Sequence, residues 1–126
     1  MDVYKTHGAF SWNELMTTDP AAATAFYGGL FGWTAKNHDM GTGDYHVVSL
    51  GDTQVGGIMA MPPTAQGMPP AWGCYITVDN VEATAERCVA LGGKVLMPGM
   101  DVPGVGRMAV LQDPQGAVFS VMAYAG

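Results

Sequence analysis

Basic residues are scarce in this chain: five lysines and arginines against eleven aspartates and glutamates, a net charge of −6 over 126 residues. The five (Lys5, Lys36, Arg87, Lys94 and Arg107) are scattered, so nothing here neutralises a run of phosphates, and nucleic-acid binding is not expected. An acidic surface of this kind tolerates cationic ligands. Charge of either sign is thin at 13%, while hydrophobic residues reach 48%; that balance excludes a disordered chain. Long apolar runs are missing. None approaches the roughly 18 residues of a membrane span, and Met1-Asp2-Val3-Tyr4-Lys5 lacks the basic and apolar regions of a secretion signal. The expectation is a cytoplasmic protein with no membrane partner. There are only two cysteines, Cys74 and Cys88, at a spacing that matches no zinc or redox motif. Both read as reduced thiols in a core. No phosphate loop, nucleophile elbow or zinc-protease motif occurs.

What is present is orderly punctuation. Asp19 reads as a helix N-cap with Pro20 at the first helical position. Ala23, Phe26, Tyr27, Leu30 and Phe31 form its expected apolar face at helical spacing, and Gly32 ends the run. Asn80 caps a second helix, with Glu82 in the first turn where the dipole favours a carboxylate. Val81, Thr84, Ala85, Cys88 and Leu91 form its expected buried face, and Gly92-Gly93 ends it. One strand precedes each helix (9–17 and 72–78) and three follow it: 33–37, 45–50 and 54–61, then 94–97, 107–112 and 117–124. Gly41-Thr42-Gly43-Asp44 and Gly51-Asp52 separate strands. Asp113-Pro114-Gln115-Gly116 fits a type I turn.

The order is therefore βαβββ twice, with the two N-caps about half the chain apart. The expected class is α+β: two tandem βαβββ modules forming a curved mixed sheet with a concave pocket and the helices on its outer face. Module one covers about 7–61 and module two about 71–126. The Pro-rich stretch 62–70 links them within a single domain, 1–126, because one helix cannot cover both faces of a half-sheet.

Trp12-Asn13-Glu14-Leu15, Thr18-Asp19-Pro20, Phe26-Tyr27 and Leu30-Phe31-Gly32-Trp33 carry a family resemblance. So do Tyr75-Ile76-Thr77-Val78-Asp79-Asn80-Val81, Leu91-Gly92-Gly93-Lys94-Val95 and Asp113-Pro114-Gln115-Gly116-Ala117. Together they resemble the vicinal oxygen chelate superfamily, which includes glyoxalase I, extradiol dioxygenases and bleomycin-resistance proteins. The phrasing is similar to a subgroup that holds a tandem-type mycobacterial antigen and proteins named as hydroxylases. The resemblance implies metal ligands, typically His or Gln, His and Glu, on the first and last strands of each module. The positions that correspond here hold Trp12, Gly73 (or Trp72, one residue away), Ser120 and the segment Val55-Gly56-Gly57-Ile58. None is a credible donor for a divalent ion, so no metal and no cofactor is expected.

Strand alternation places Trp12, Glu14 and Met16 on the pocket side of the first module, and Gly73, Tyr75 and Thr77 on that of the second. Leu15, Cys74, Ile76 and Val78 turn to the helices. Glu14, a carboxylate among apolar neighbours, reads as a ligand-binding acid or a general base, with Tyr75 as a candidate partner; the alternative is a structural carboxylate. Trp12 beside Gly73 suggests a stacking platform with space opposite, or a tryptophan that plugs the cavity. His46 lies in a strand and is a further ligand-binding candidate, as is Ser120. Ten methionines suit an adaptable apolar pocket or ordinary core gaps. The segment from Pro98 to Gly106 reads as a loop over the pocket mouth.

The functional expectation is a metal-independent small-molecule binding protein of the glyoxalase and bleomycin-resistance type, its ligand aromatic or cationic. The alternative is a metal-free lyase or isomerase-like enzyme using Glu14 as general base. A homodimer is expected from unpaired sheet edges.

Overall fold

A computed structural model of the chain describes residues 1–39, 43–62 and 67–125. The expected turn residues Gly41 and Thr42, linker residues 63–66 and Gly126 lie outside them. The elements run β1 (Phe10–Thr17), α1 (Pro20–Phe31), β2 (Thr34–Asp39), β3 (Asp44–Leu50) and β4 (Thr53–Ala60), then β5 (Ala71–Thr77), α2 (Val81–Ala90), β6 (Lys94–Val102), β7 (Gly106–Gln112) and β8 (Val118–Tyr124). The α+β class and the two βαβββ modules are as the punctuation predicts. The chain forms two compact units, Asn13–Gly73 and Met1–Trp12 with Cys74–Gly126.

In the unit Asn13–Gly73 the strand order is β2-β3-β4-β1. The β2–β3 and β3–β4 pairs are antiparallel and β1 joins β4 in parallel. Register then sorts the faces. Leu15 pairs with Ile58, and Val48 with Gly56; Leu15, Val48 and Ile58 are the buried core, packed by Ala23 and Tyr27 of α1 and by Trp33. The opposite face carries Glu14, Gly57, Val47, Tyr45 and Met59, one residue out of phase.

The other unit repeats the plan with order β5-β8-β7-β6. β5 pairs with β8 in parallel, and β8–β7 and β7–β6 are antiparallel. Its helix-side core is Val78, Val81, Ala109, Leu111 and Val121. Tyr75, Met108 and Met122 form a second buried cluster, with Trp12, Met97, Val102, Val105, Val110 and Tyr124 packed against it. The register pairs Tyr75 with Ser120 and Met108 with Met122, so this cluster occupies the face away from α2.

Both helix starts form as the caps predict. Asp19 Oδ1 accepts from the Ala22 amide at 3.1 Å, and Asn80 Oδ1 from the Ala83 amide at 2.9 Å. Gly32 closes α1 at φ 78°, the left-handed conformation a side chain would disfavour. Asp113 Oδ1 takes the amides of Gln115 and Ala117, which fixes the turn into β8.

Three expectations need correction. α1 has no buried residue: Phe26, Leu30 and Phe31 are exposed. The helix is apolar on nearly every side, so its spacing does not single out an inner face. Leu91 is exposed rather than part of the α2 core, because the helix stops at Ala90 and Leu91 is its C-cap. The segment after Met97 is not a loop over a pocket mouth. Met100, Asp101 and Val102 pair with Met108, Arg107 and Gly106, extending β6 to a short turn. Register shifts between Val95 and Met100 absorb Pro98 and Gly99. Arg107 ties this extension to α2: its Nε reaches Glu82 Oε2 at 2.9 Å, Nη1 reaches Asp101 Oδ1 at 3.0 Å, and Nη2 donates to the Gly99 carbonyl. The guanidinium holds the Glu82 carboxyl below the usual carboxylate range.

Candidate functional site

Of the predicted site residues, Trp12, Tyr75 and Ser120 come together on the face of the second unit away from α2. Tyr75 is buried, and its hydroxyl donates to the Met108 sulfur at 3.8 Å, a weak bond typical of a phenol set among thioethers. Trp12 is half-buried against that cluster, and Ser120 is half-buried between Tyr75 and Val110 in the register. Tyr124 closes one end: its hydroxyl shares a 2.7 Å hydrogen bond with Ser11 Oγ, and its ring meets Tyr4 edge-on at 5.1 Å. Burial pushes the Tyr124 phenol up, so it stays a neutral donor and acceptor. The result is an apolar wall of methionine and aromatic surface carrying few hydroxyls and no carboxylate or amine.

Glu14 and Gly73 belong to the other unit. Glu14 is buried on β1, opposite Gly57 of β4. Every fully buried side-chain oxygen and nitrogen among the described residues has a hydrogen-bond partner, as burial of polar atoms requires. The phenol of Tyr45 fills the space that a side chain at position 57 would need. It thus lies across β4 on the face that Glu14 shares. Sequence reasoning missed Tyr45. Its signal is Gly56-Gly57 inside a strand, a pattern that marks close approach of another group. Gly73 is exposed, and the nearest atom to the place of a side chain there is the Glu14 carbonyl oxygen, 3.9 Å away.

His46 lies on the other side of its sheet. It pairs with Ile58 in the register, so it shares the face of Leu15 and Val48 and not that of Glu14. His7 is spent structurally: its Nδ1 accepts the Asp79 amide at 3.0 Å, so that nitrogen carries no proton for the carboxylate 3.8 Å away.

The residues present do not fit a divalent metal of the kind the superfamily resemblance implies. The corresponding positions hold an indole, a glycine and a hydroxyl. Among the described residues no group of three His, Cys, Asp or Glu side chains converges. Cys74 and Cys88 are free thiols; Cys88 Sγ lies 3.8 Å from the Lys94 and Gln112 carbonyls, a packing contact beside α2. No helix among the described residues is long and apolar enough to cross a membrane.

Comparison with known proteins now bears on this arrangement. The model of the Glyoxalase/Bleomycin resistance protein/Dioxygenase superfamily matches residues 9–121. The chain belongs to this superfamily. Among curated relatives, CFP32 of Mycobacterium bovis, whose name assigns it provisionally to the glyoxylases, is 45% identical over 116 residues, covering 91% of this chain and 44% of its own length. The anthracycline biosynthesis protein DnrV of Streptomyces peucetius is 40% identical over 127 residues, covering 90% of this chain and 46% of its own. The chain thus spans about half the length of the curated relatives it matches. Among solved structures, the methylmalonyl-CoA epimerase of Mycobacterium tuberculosis superposes with a TM-score of 0.66 at 13% identity, over 94% of this chain and 89% of that one. At that identity the likeness speaks to the fold alone.

Proposed function

We propose that this superfamily member binds a small, flat organic molecule without a metal, on the wall formed by Trp12, Tyr75 and Ser120. The observation that carries this reading is the substitution of chemistry at the superfamily's ligand positions. Trp12 and Ser120 stand where donors are expected, and they share a face with Met108 and Met122. An indole offers a large stacking surface with one N–H donor, and thioethers adapt to the outline of an apolar guest. The name of DnrV places that relative in anthracycline biosynthesis, which supports a polycyclic aromatic ligand. The net charge of −6 suits one that also carries an amine. The test is titration with an amino-sugar anthracycline in the presence of EDTA. The melting temperature should climb with ligand, the folded state gaining about 2.7 kcal/mol at a hundredfold excess over Kd. An unmoved melting curve at the solubility limit of the ligand removes the reading.

A second reading has its own observation, the burial of Glu14 on the face where Tyr45 crosses Gly57. A buried carboxylate beside a phenol suits proton abstraction next to a carbonyl. On this reading Glu14→Gln lowers turnover of an enolisable carbonyl substrate at least a hundredfold and leaves the melting temperature within a few degrees. Equal rates and an unchanged pH profile in Glu14→Gln would leave Glu14 with a structural role.

A further inference from the structure

α2 does not seal onto its sheet beyond the first turn. Val81 is its one buried residue. The side chains that follow toward the sheet, Ala85 and Cys88, are small and only half-buried. Short side chains there leave volume that a larger residue would fill. The result is a cleft of about 490 Å³, within the roughly 300–1,000 Å³ range of small-molecule sites. Leu111 and Phe119 line it from the sheet. Ala83, Arg87 and Leu91 line it from the helix, at i, i+4 and i+8 on one stripe. Leu91 has no place in the core, and here it forms an apolar lip. Leu111 lies on the helix side of the sheet and Met108 on the other, so this cleft is separate from the wall that carries Trp12 and Tyr75.

We propose that this cleft binds a medium-chain carboxylic acid, its chain along Leu111 and Phe119 and its carboxylate at Arg87. Two observations give the head group its sign. Arg107, the other arginine of this unit, is held by Glu82 and Asp101, whereas Arg87 forms no ion pair among the described residues. A guanidinium without a partner matches a carboxylate through two parallel hydrogen bonds. His7 lines the same cleft. Its Nδ1 accepts the Asp79 amide at 3.0 Å, so the neutral ring carries its proton on Nε2 and offers a second donor. Asp79 and Asp113 also border the cleft. Asp113 gives its Oδ1 to the amides of Gln115 and Ala117, and Asp79 lies 3.8 Å from the His7 ring. With two carboxylates on the border there is no excess of positive charge, and a small inorganic anion gains little. The hold has to come from the chain, which selects an amphipathic guest. Ten carbons occupy on the order of 300 Å³, if each takes about the volume of a water molecule, and that fits the cleft with room for the head.

The experiment uses decanoate as the probe. Calorimetry gives the affinity, and labelling of the two thiols with N-ethylmaleimide, read by peptide mass, gives the place. Cys88 lines the cleft and Cys74 does not. Decanoate should slow labelling of Cys88 at least fivefold and leave Cys74 unchanged. From hexanoate to decanoate, affinity should rise about fourfold per methylene, the ratio that burial of a CH₂ group gives, and acetate should produce no heat. Arg87→Gln should weaken decanoate at least tenfold and leave decanol as it was. Ala83→Trp should abolish protection of Cys88 by filling the cleft. Both positions are exposed, so both variants should keep the parent's circular dichroism spectrum. Trp12→Ala, on the opposite face of the sheet, should change neither result, which separates this site from the aromatic wall. The proposal is overturned by a parent chain that gives no heat with decanoate, by equal affinity in Arg87→Gln, by protection of Cys88 that survives Ala83→Trp, or by decanoate binding that disappears in Trp12→Ala.

Discussion

Replacing Trp12 with alanine is expected to weaken anthracycline binding by roughly thirtyfold, about 2 kcal/mol, the size of an aromatic anchor at the centre of a contact. The indole is the larger of the two aromatic surfaces, with Tyr124, among the half-buried residues packed on Tyr75, Met108 and Met122. Its loss removes stacking area and opens space that water will fill. Trp12→Phe should recover most of the affinity, because a smaller ring still stacks. Trp72→Ala should not change it: that indole belongs to the other unit, where it packs on Tyr27 and Trp33. Fluorescence titration of the ligand separates these outcomes. Equal affinity in Trp12→Ala and the parent chain would place the ligand elsewhere.

Leu111→Ala is expected to cost about 3 kcal/mol of stability, within the 2–5 kcal/mol range for a fully enclosed leucine. Leu111 has no accessible surface and packs against Val81 of α2, Ala109 and Val121. For a domain of this size the melting temperature should fall by roughly 10 °C. Leu91→Ala, at a leucine 64% exposed past the end of the same helix, should stay within about 0.5 kcal/mol of the parent. Urea unfolding monitored by tryptophan fluorescence reads both.

That contrast marks where the sequence is legible. Leu111 lies in a strand that is legible as a strand, but its apolar neighbours Ala109 and Val110 leave its direction to the register, which sets it with Val81, Ala109 and Val121. Leu91 sits at helical spacing from Cys88, and only the position of the cap shows that the helix has already ended. The caps Asp19 and Asn80, the glycine stops and the repeated βαβββ order were all readable, because each is a local rule with a local cause. α1 was readable as a helix but not as to its inner face. A residue pattern identifies a face by contrast with polar residues, and this helix offers almost none.

The candidate site was legible only in part, for a similar reason. Strand period gives the face, so Trp12 and Glu14 could be assigned a direction, whereas the pairing of Tyr75 with Ser120 comes only from the register. For His46 the period alone does not decide; the pairing with Ile58 sets it on the side of Leu15 and Val48. The contribution of Tyr45 depends on the side chain absent at Gly57. Its clue was a pair of glycines and not a chemical group. The extension of β6 to Val102 was hidden by Pro98 and Gly99, which read as a loop until the register shifts accommodate them.

Under the proposed function, the chain takes up an organic ligand without a metal. The most direct measurement is native mass spectrometry of freshly purified protein, before and after addition of an amino-sugar anthracycline. The expected spectrum shows polypeptide free of stoichiometric zinc, iron or manganese, and one added ligand mass per chain that is lost in Trp12→Ala. A stoichiometric divalent metal, or a chain that takes up no ligand at saturating concentration, would contradict it.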